Sequence, residues 1–166
     1  MNLLAIDTAT EACSVALSST GGVILERYQI QNRGHSNLVL TMVEDVLLEV
    51  GISRHNLNGI AFDSGPGSFT GIRIAAAAVQ GLGLASGLPL LPVSSLAVIA
   101  QGLWRSHGVA NSLVCVNAHM GEVFWAVFEI QEGLARLLGE ERLAAPEFVN
   151  SAGLSAWAAA GSGFQA

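Results

Sequence analysis

Leu3-Leu-Ala-Ile-Asp7-Thr-Ala-Thr-Glu-Ala-Cys-Ser-Val-Ala-Leu17 and Leu113-Val-Cys-Val-Asn117-Ala-His-Met-Gly-Glu-Val-Phe-Trp-Ala-Val127 carry one pattern twice. Each is an apolar strand ending at a polar residue, then a tight turn, then a second apolar strand. The repetition reads as a degenerate internal duplication, a second lobe beginning as the first did. Around the first copy, Asn2–Thr8 and Ala12–Ser18 read as strands, and Gly21-Gly22 marks a hairpin into Val23–Gln31. Strands joined by such short turns must be antiparallel.

A helix follows, with Ser36 expected as its N-cap. Val39, Met42, Val43, Val46, Leu47 and Val50 fall at i, i+3, i+4, i+7, i+8 and i+11, and Gly51 ends the stripe. Asn58–Asp63 reads as a buried strand, Ser64–Phe69 as a Gly/Pro loop, and Thr70–Ser86 as a helix rich in small residues. Leu88–Val93 reads as a short extended piece, and Ser94 or Ser95 caps a further helix to about Ser106. The crossover connections make the later strands parallel to the first.

This order is the plan of a ribonuclease-H-like α/β lobe, expected over residues 1–108. Residues 109–166 then form a second lobe, expected to be incomplete, with a strand near Leu134–Leu143 and a helix near Glu147–Ala160. Two such lobes are the plan of the actin/Hsp70/sugar-kinase superfamily, the actin-like ATPase (ASKHA) fold.

Ile74–Ala100 contains no charged residue and is long enough to span a bilayer. It also holds Pro89, Pro92, Gly81, Gly83, Gly87 and Gln80, and two prolines inside one helix would each cost on the order of 3 kcal/mol. Two buried helices joined by an extended piece fit better than a membrane span. The N-terminus has no basic region and meets Asp7 too early for a signal peptide, so a cytoplasmic protein is expected.

Charge narrows the function classes. The net charge is −6, all seven basic residues are arginine, and lysine is absent. That excludes a P-loop or Schiff-base lysine. It also argues against strong independent binding to nucleic acid, because such affinity rests on neutralising phosphates. Cys13 and Cys115 each sit in an apolar run and read as buried thiols. His35, His55, His107 and His119 form no local metal motif, and no Ser-His-Asp signature or G-x-S-x-G elbow is present.

Two features could carry chemistry. Asp7, followed by Thr8 and Thr10, stands where a two-lobed nucleotide-binding fold holds magnesium or orients phosphates; a turn-stabilising carboxylate is the alternative. Its counterpart in the second copy is Asn117, so the paired acids of a phosphotransferase are missing. Asp63-Ser-Gly65-Pro66-Gly67-Ser68-Phe69-Thr70-Gly71 is the sharpest local motif. Ser68 or Thr70 can cap the next helix, whose positive end suits an anion. The loop is neither a Walker A loop nor a dinucleotide fingerprint, and a structural strand-to-helix turn remains the other reading.

These residues together resemble the TsaB (YeaZ) family. The likeness is carried by Leu4-Ala-Ile-Asp-Thr-Ala-Thr10, Gly34-His35-Ser36, Gly65-Pro-Gly-Ser-Phe-Thr-Gly-Ile-Arg73 and Pro92-Val-Ser-Ser-Leu96. It covers residue 1 to about 130. The resemblance implies a non-catalytic scaffold related to the catalytic TsaD subunit, without its metal-binding histidine pair. Such a protein pairs with TsaD, joins the ATPase TsaE, and forms homodimers when alone. The complex transfers a threonylcarbamoyl group to the adenosine beside the anticodon of tRNAs reading codons that begin with A. By position, Val39, Met42 and Val46 on the first helix and Ile74, Ala77, Ala78 and Gly81 on the second would supply the pairing surface. Asp7, Thr8, Gly65, Gly67 and Ser68 are the candidate nucleotide contacts. No catalytic residue, metal site or obligatory cofactor is implied; ATP or ADP with magnesium belongs to the assembled complex, and tRNA is met only through it. Two departures stand out: Asn117-Ala-His119 replaces the family's Asp-Ala-Arg, and Ile74-Ala-Ala-Ala-Ala78 lacks a usual glycine. The competing reading is a stand-alone superfamily enzyme, either a small-molecule phosphotransferase or a metal-dependent peptidase.

Overall fold

In a computed structural model of the chain, residues 1–31, 34–150, 153 and 157–165 are described. The first unit, Met1–Val93, opens with three antiparallel strands, β1 (Leu3–Asp7), β2 (Ala12–Ser18) and β3 (Ile24–Ile30). Helix α1 (His35–Val50), strand β4 (Gly59–Asp63), helix α2 (Phe69–Ser86) and strand β5 (Leu90–Val93) follow. β4 pairs parallel to β1 and β5 parallel to β4, giving the sheet order β3-β2-β1-β4-β5.

Period-2 alternation on the strands meets period-3.6 stripes on the helices in one core. Leu4, Ile6, Cys13, Val15, Leu17 and Ile60 pack with Val39, Met42, Val43, Val46 and Leu47 of α1 and Ala75 and Val79 of α2. Arg27 of β3 adds an ion pair to Glu49 of α1 at the partly exposed edge. Gly51 and Gly87 end α1 and α2 in the left-handed conformation, a position that favours glycine.

The N-cap of α1 is Gly34, not Ser36. His35 is the first helical residue, and its ring Nε2 lies 3.2 Å from the Glu11 carbonyl oxygen and 3.0 Å from that of Gln31. That double contact draws His35 inward, and the N-cap falls two residues earlier than expected.

The second unit is Ser94–Ala166, so the boundary falls before the third helix rather than near residue 108. Helix α3 (Ser95–His107) buries Leu96 and Ala100 against Val114, Ala126 and Phe128 of the second sheet. The Gln101 side chain locks it there, donating to the Gly133 carbonyl at 3.1 Å and accepting from the Ala135 N–H at 2.8 Å. The stretch Ile74–Ala100 is thus divided among α2, β5 and α3, as its prolines and glycines imply.

Strands β6 (Asn111–His119), β7 (Glu122–Gln131) and β8 (Leu134–Ala144) form an antiparallel meander, and β9 (Ala158–Ala160) pairs parallel to β6. The order β8-β7-β6-β9 repeats β3-β2-β1-β4 of the first sheet. The duplication is real, but its register is one residue off the sequence alignment. Leu4 and Ile6 face the helix inserted between β3 and β4. Leu113 and Cys115, not Val114 and Val116, share the equivalent cluster with Val149 from the β8–β9 connection. A one-residue slip reverses every side chain on a strand.

The helix expected at Glu147–Ala160 is not seen among the described residues: Pro146–Phe148 is a single 3₁₀ turn and Ala158–Ala160 is a strand. Residues 151, 152 and 154–156 lie outside the described set. Alanine favours helix, but three alanines offered to the open edge of β6 complete its backbone hydrogen bonds instead.

Candidate functional site

The glycine loop after β4 lies against the β1–β2 turn with backbone touching backbone. Thr8, fully buried, donates from Oγ1 to the Gly71 carbonyl at 2.7 Å. The Ser68 N–H donates to the Ala9 carbonyl at 2.6 Å. A methyl group on Gly67 would lie 2.6 Å from Ala9 O, and one on Gly71 only 1.9 Å from Thr8 O. These two glycines exist for close approach. Gly65 serves a different need, since its φ of 98° lies where side chains are strained.

Both carboxylates of the region brace their own turns. Asp7 Oδ1 accepts from the Ala9 N–H at 2.8 Å, and buried Asp63 accepts from the Gly65 N–H at 2.6 Å. Ser68 caps α2, its Oγ accepting from the Gly71 N–H at 3.3 Å. Of the candidate residues, Thr8, Gly67 and Ser68 meet at this joint, while Asp7 and Gly65 each belong to the local bracing of their own turn. Within this chain the Thr8 hydroxyl, the Ser68 N–H and one Asp7 oxygen are each committed to a neighbour. In chemical terms the arrangement is a tight turn-on-turn joint that fixes the start of α2.

The second unit carries a reduced version of the same joint. Asn117 Oδ1 accepts from the His119 N–H at 2.7 Å, two residues ahead, as Asp7 does. Gly161, at φ 109°, would place a methyl 2.0 Å from Cys115 O, and Ser162 Oγ accepts from the Asn117 N–H at 3.2 Å. Among the described residues, no group of three or more His, Cys, Asp or Glu side chains is placed to hold a metal ion.

The expected pairing surface divides in two. Val39, Met42 and Val46 are at most 5% exposed and belong to the core beneath α1, which corrects their assignment to a partner surface. The stripe that made α1 recognisable as a helix is the stripe its own sheet consumes. Ile74 and Ala78 are half-buried against the same core. Ala77 and Gly81 face outward on α2, where nothing lies within 4 Å of a methyl built at Gly81.

Sequence reasoning missed the rest of that outward row. Phe69, Arg73, Ala77 and Gly81 recur every four residues, with Leu84 beyond them, and all are exposed. Leu84 is 89% exposed and Phe69 73%. The Arg73 guanidinium stacks 3.3 Å over the Phe69 ring and donates to the Phe69 carbonyl. Leu40 and Leu48 are the exposed apolar residues of α1.

The family model described as TsaD, tRNA N6-adenosine threonylcarbamoyltransferase, matches residues 8–160. The tRNA threonylcarbamoyladenosine biosynthesis protein TsaB of Escherichia coli K12 is 42% identical over 170 residues, an alignment covering 100% of this chain and 73% of the relative. The chain belongs to the TsaB (YeaZ) family. YeaZ from Pseudomonas aeruginosa superposes with a TM-score of 0.95 at 43% identity, over 99% of this chain and 77% of that one. Component A of the Acidaminococcus fermentans (R)-2-hydroxyglutaryl-CoA dehydratase superposes at a TM-score of 0.52 and 13% identity, covering 88% of this chain and 48% of its own, which speaks for the actin-like ATPase fold alone. The TsaB family is one of tRNA threonylcarbamoyladenosine biosynthesis proteins, and the likeness to the TsaD family model fits a subunit of that pathway.

Proposed function

We propose that the chain is a non-catalytic subunit that pairs with a TsaD-type protein through the outward face of α2 and supports threonylcarbamoyl transfer to tRNA. The observation that carries this reading is the row Ala77, Gly81 and Leu84: a helix face with small residues at its centre and a leucine standing 89% exposed. Small residues let a second helix approach closely, and a solvated leucine gains by burial, about 2 kcal/mol for a full side chain. The glycine loop serves the same end, since its joint to the β1–β2 turn holds the N-terminus of α2 rigidly.

In this reading the chain contributes no catalytic group. Nucleotide with magnesium enters at the assembled complex, where a TsaE-type ATPase joins. tRNA is held by other subunits, consistent with the net charge of −6. In the absence of its partner the chain forms a homodimer through the same exposed face. A cytoplasmic location follows from the substrate.

Reconstitution tests it. Threonylcarbamoylation of tRNA by a TsaD-type protein should require this chain, fall with Ala77→Arg, and keep its rate with Asp7→Ala. Turnover by the chain alone that Asp7→Ala abolishes would instead make it an enzyme.

A further inference from the structure

We propose that Glu44 on α1 sets which partner the pairing face accepts: it disfavours a second copy of this chain and selects a helix bearing a lysine or arginine. The inference rests on pairing through α2 and concerns the charge of the partner's surface. α1 and α2 pack on one face of the first sheet, so their outward rows share one surface. Both helices also begin at the β1–β2 turn: His35 approaches the Glu11 carbonyl, and the Ser68 N–H donates to the Ala9 carbonyl. Heights along the two helices are therefore measured from a common end. At a rise of about 1.5 Å per residue, Glu44 lies about 13 Å from the start of α1 and Ala77 about 12 Å from the start of α2. Glu44 thus stands level with the small-residue centre of the α2 row.

Its neighbours along α1 are apolar. Leu40 and Leu48, four residues to either side, are 48% and 82% exposed, and at that spacing the three share one side of the helix. Burying two leucines in a complex dries the carboxylate between them, and a carboxylate away from water needs a cation. This face supplies none at that height. Among the described residues Glu44 and its exposed neighbour Asp45 make no ion pair, while Glu49 is held by Arg27. The one charged residue of α2, Arg73, is bent back over Phe69 towards the helix start, away from the level of Glu44. Two copies placed face to face each bring Glu44 and Asp45 with a single arginine, so negative charge is in surplus on both sides of the contact. A partner helix with a basic residue at that level turns the same carboxylate into an attraction. Repulsion of the wrong partner and attraction of the right one are the two halves of pairing specificity.

Sedimentation equilibrium of the purified chain, alone and mixed with a TsaD-type protein, reads both affinities. Glu44→Gln should tighten self-association about fivefold and weaken the mixed complex about fivefold. Glu141→Gln removes the same charge from an exposed position on β8 in the second unit and should leave both unchanged. Salt tests the unsubstituted protein: raising sodium chloride from about 0.05 M to about 0.5 M should strengthen self-association and weaken the mixed complex. Shifts of the same sign for both complexes, no shift with Glu44→Gln, or an equal effect of Glu141→Gln would overturn the proposal. Absence of any complex would overturn pairing through α2 together with it. A mixed complex that is lost with Ala77→Arg but indifferent to Glu44→Gln overturns this inference alone.

Discussion

A methyl group on Gly71 would sit 1.9 Å from the carbonyl oxygen of Thr8, while the Thr8 hydroxyl donates to the Gly71 carbonyl. The two residues are 63 apart in sequence and lock one backbone onto another. Gly71→Ala should therefore destabilise the first unit by roughly 2–4 kcal/mol, since backbone atoms on both sides must move. Thr8→Val keeps the shape and removes the bond, and should cost roughly 1–2 kcal/mol. Urea unfolding followed by circular dichroism measures both; a neutral Gly71→Ala would mean the joint is looser than described.

Met42→Asp should unfold the first unit rather than dissociate a complex. Met42 is 5% exposed among Val39, Val43 and Val46, and an unpaired carboxylate there costs roughly 3 kcal/mol or more. Ala77→Arg, on an exposed face, should change stability by no more than about 0.5 kcal/mol. Thermal melts of the two variants side by side check the division of α1 and α2 into core and surface.

The two thiols should resist modification. Burial pushes Cys115 from the ordinary 9.0 up to about 11, and burial followed by the charge of Asp7 raises Cys13. Both folded values lie above the unfolded ones, so folding favours the protonated thiols. Stability is unaffected below about pH 9 and falls as pH rises from 9.0 towards 11, where the unfolded chain alone releases protons. Ellman's reagent at pH 8 should react with neither cysteine until denaturant is added. Cys115→Ala should flatten the loss of stability above pH 9.

Much of this was legible in the residues. The bounds of β2 are readable because Ala12–Ser18 alternates cleanly between turn signals, and the cap of α2 is narrowed to Ser68 or Thr70, of which the structure uses Ser68. What failed was information held in tertiary contacts. The helical stripe on α1 cannot say whether a sheet or a partner consumes it. The step between Leu4 and Leu113 is invisible in an alignment because Asp7 and Asn117 make the same local turn while their strands differ by one residue in facing. The Ala158–Ala160 strand is an alanine run whose fate the neighbouring β6 edge decides.

The most direct test is light scattering of the purified chain mixed with a TsaD-type protein from the same organism. A 1:1 complex that forms with the unsubstituted chain and is lost with Ala77→Arg is the expected result. A chain that ignores the partner, or a complex indifferent to Ala77→Arg, would contradict pairing through α2.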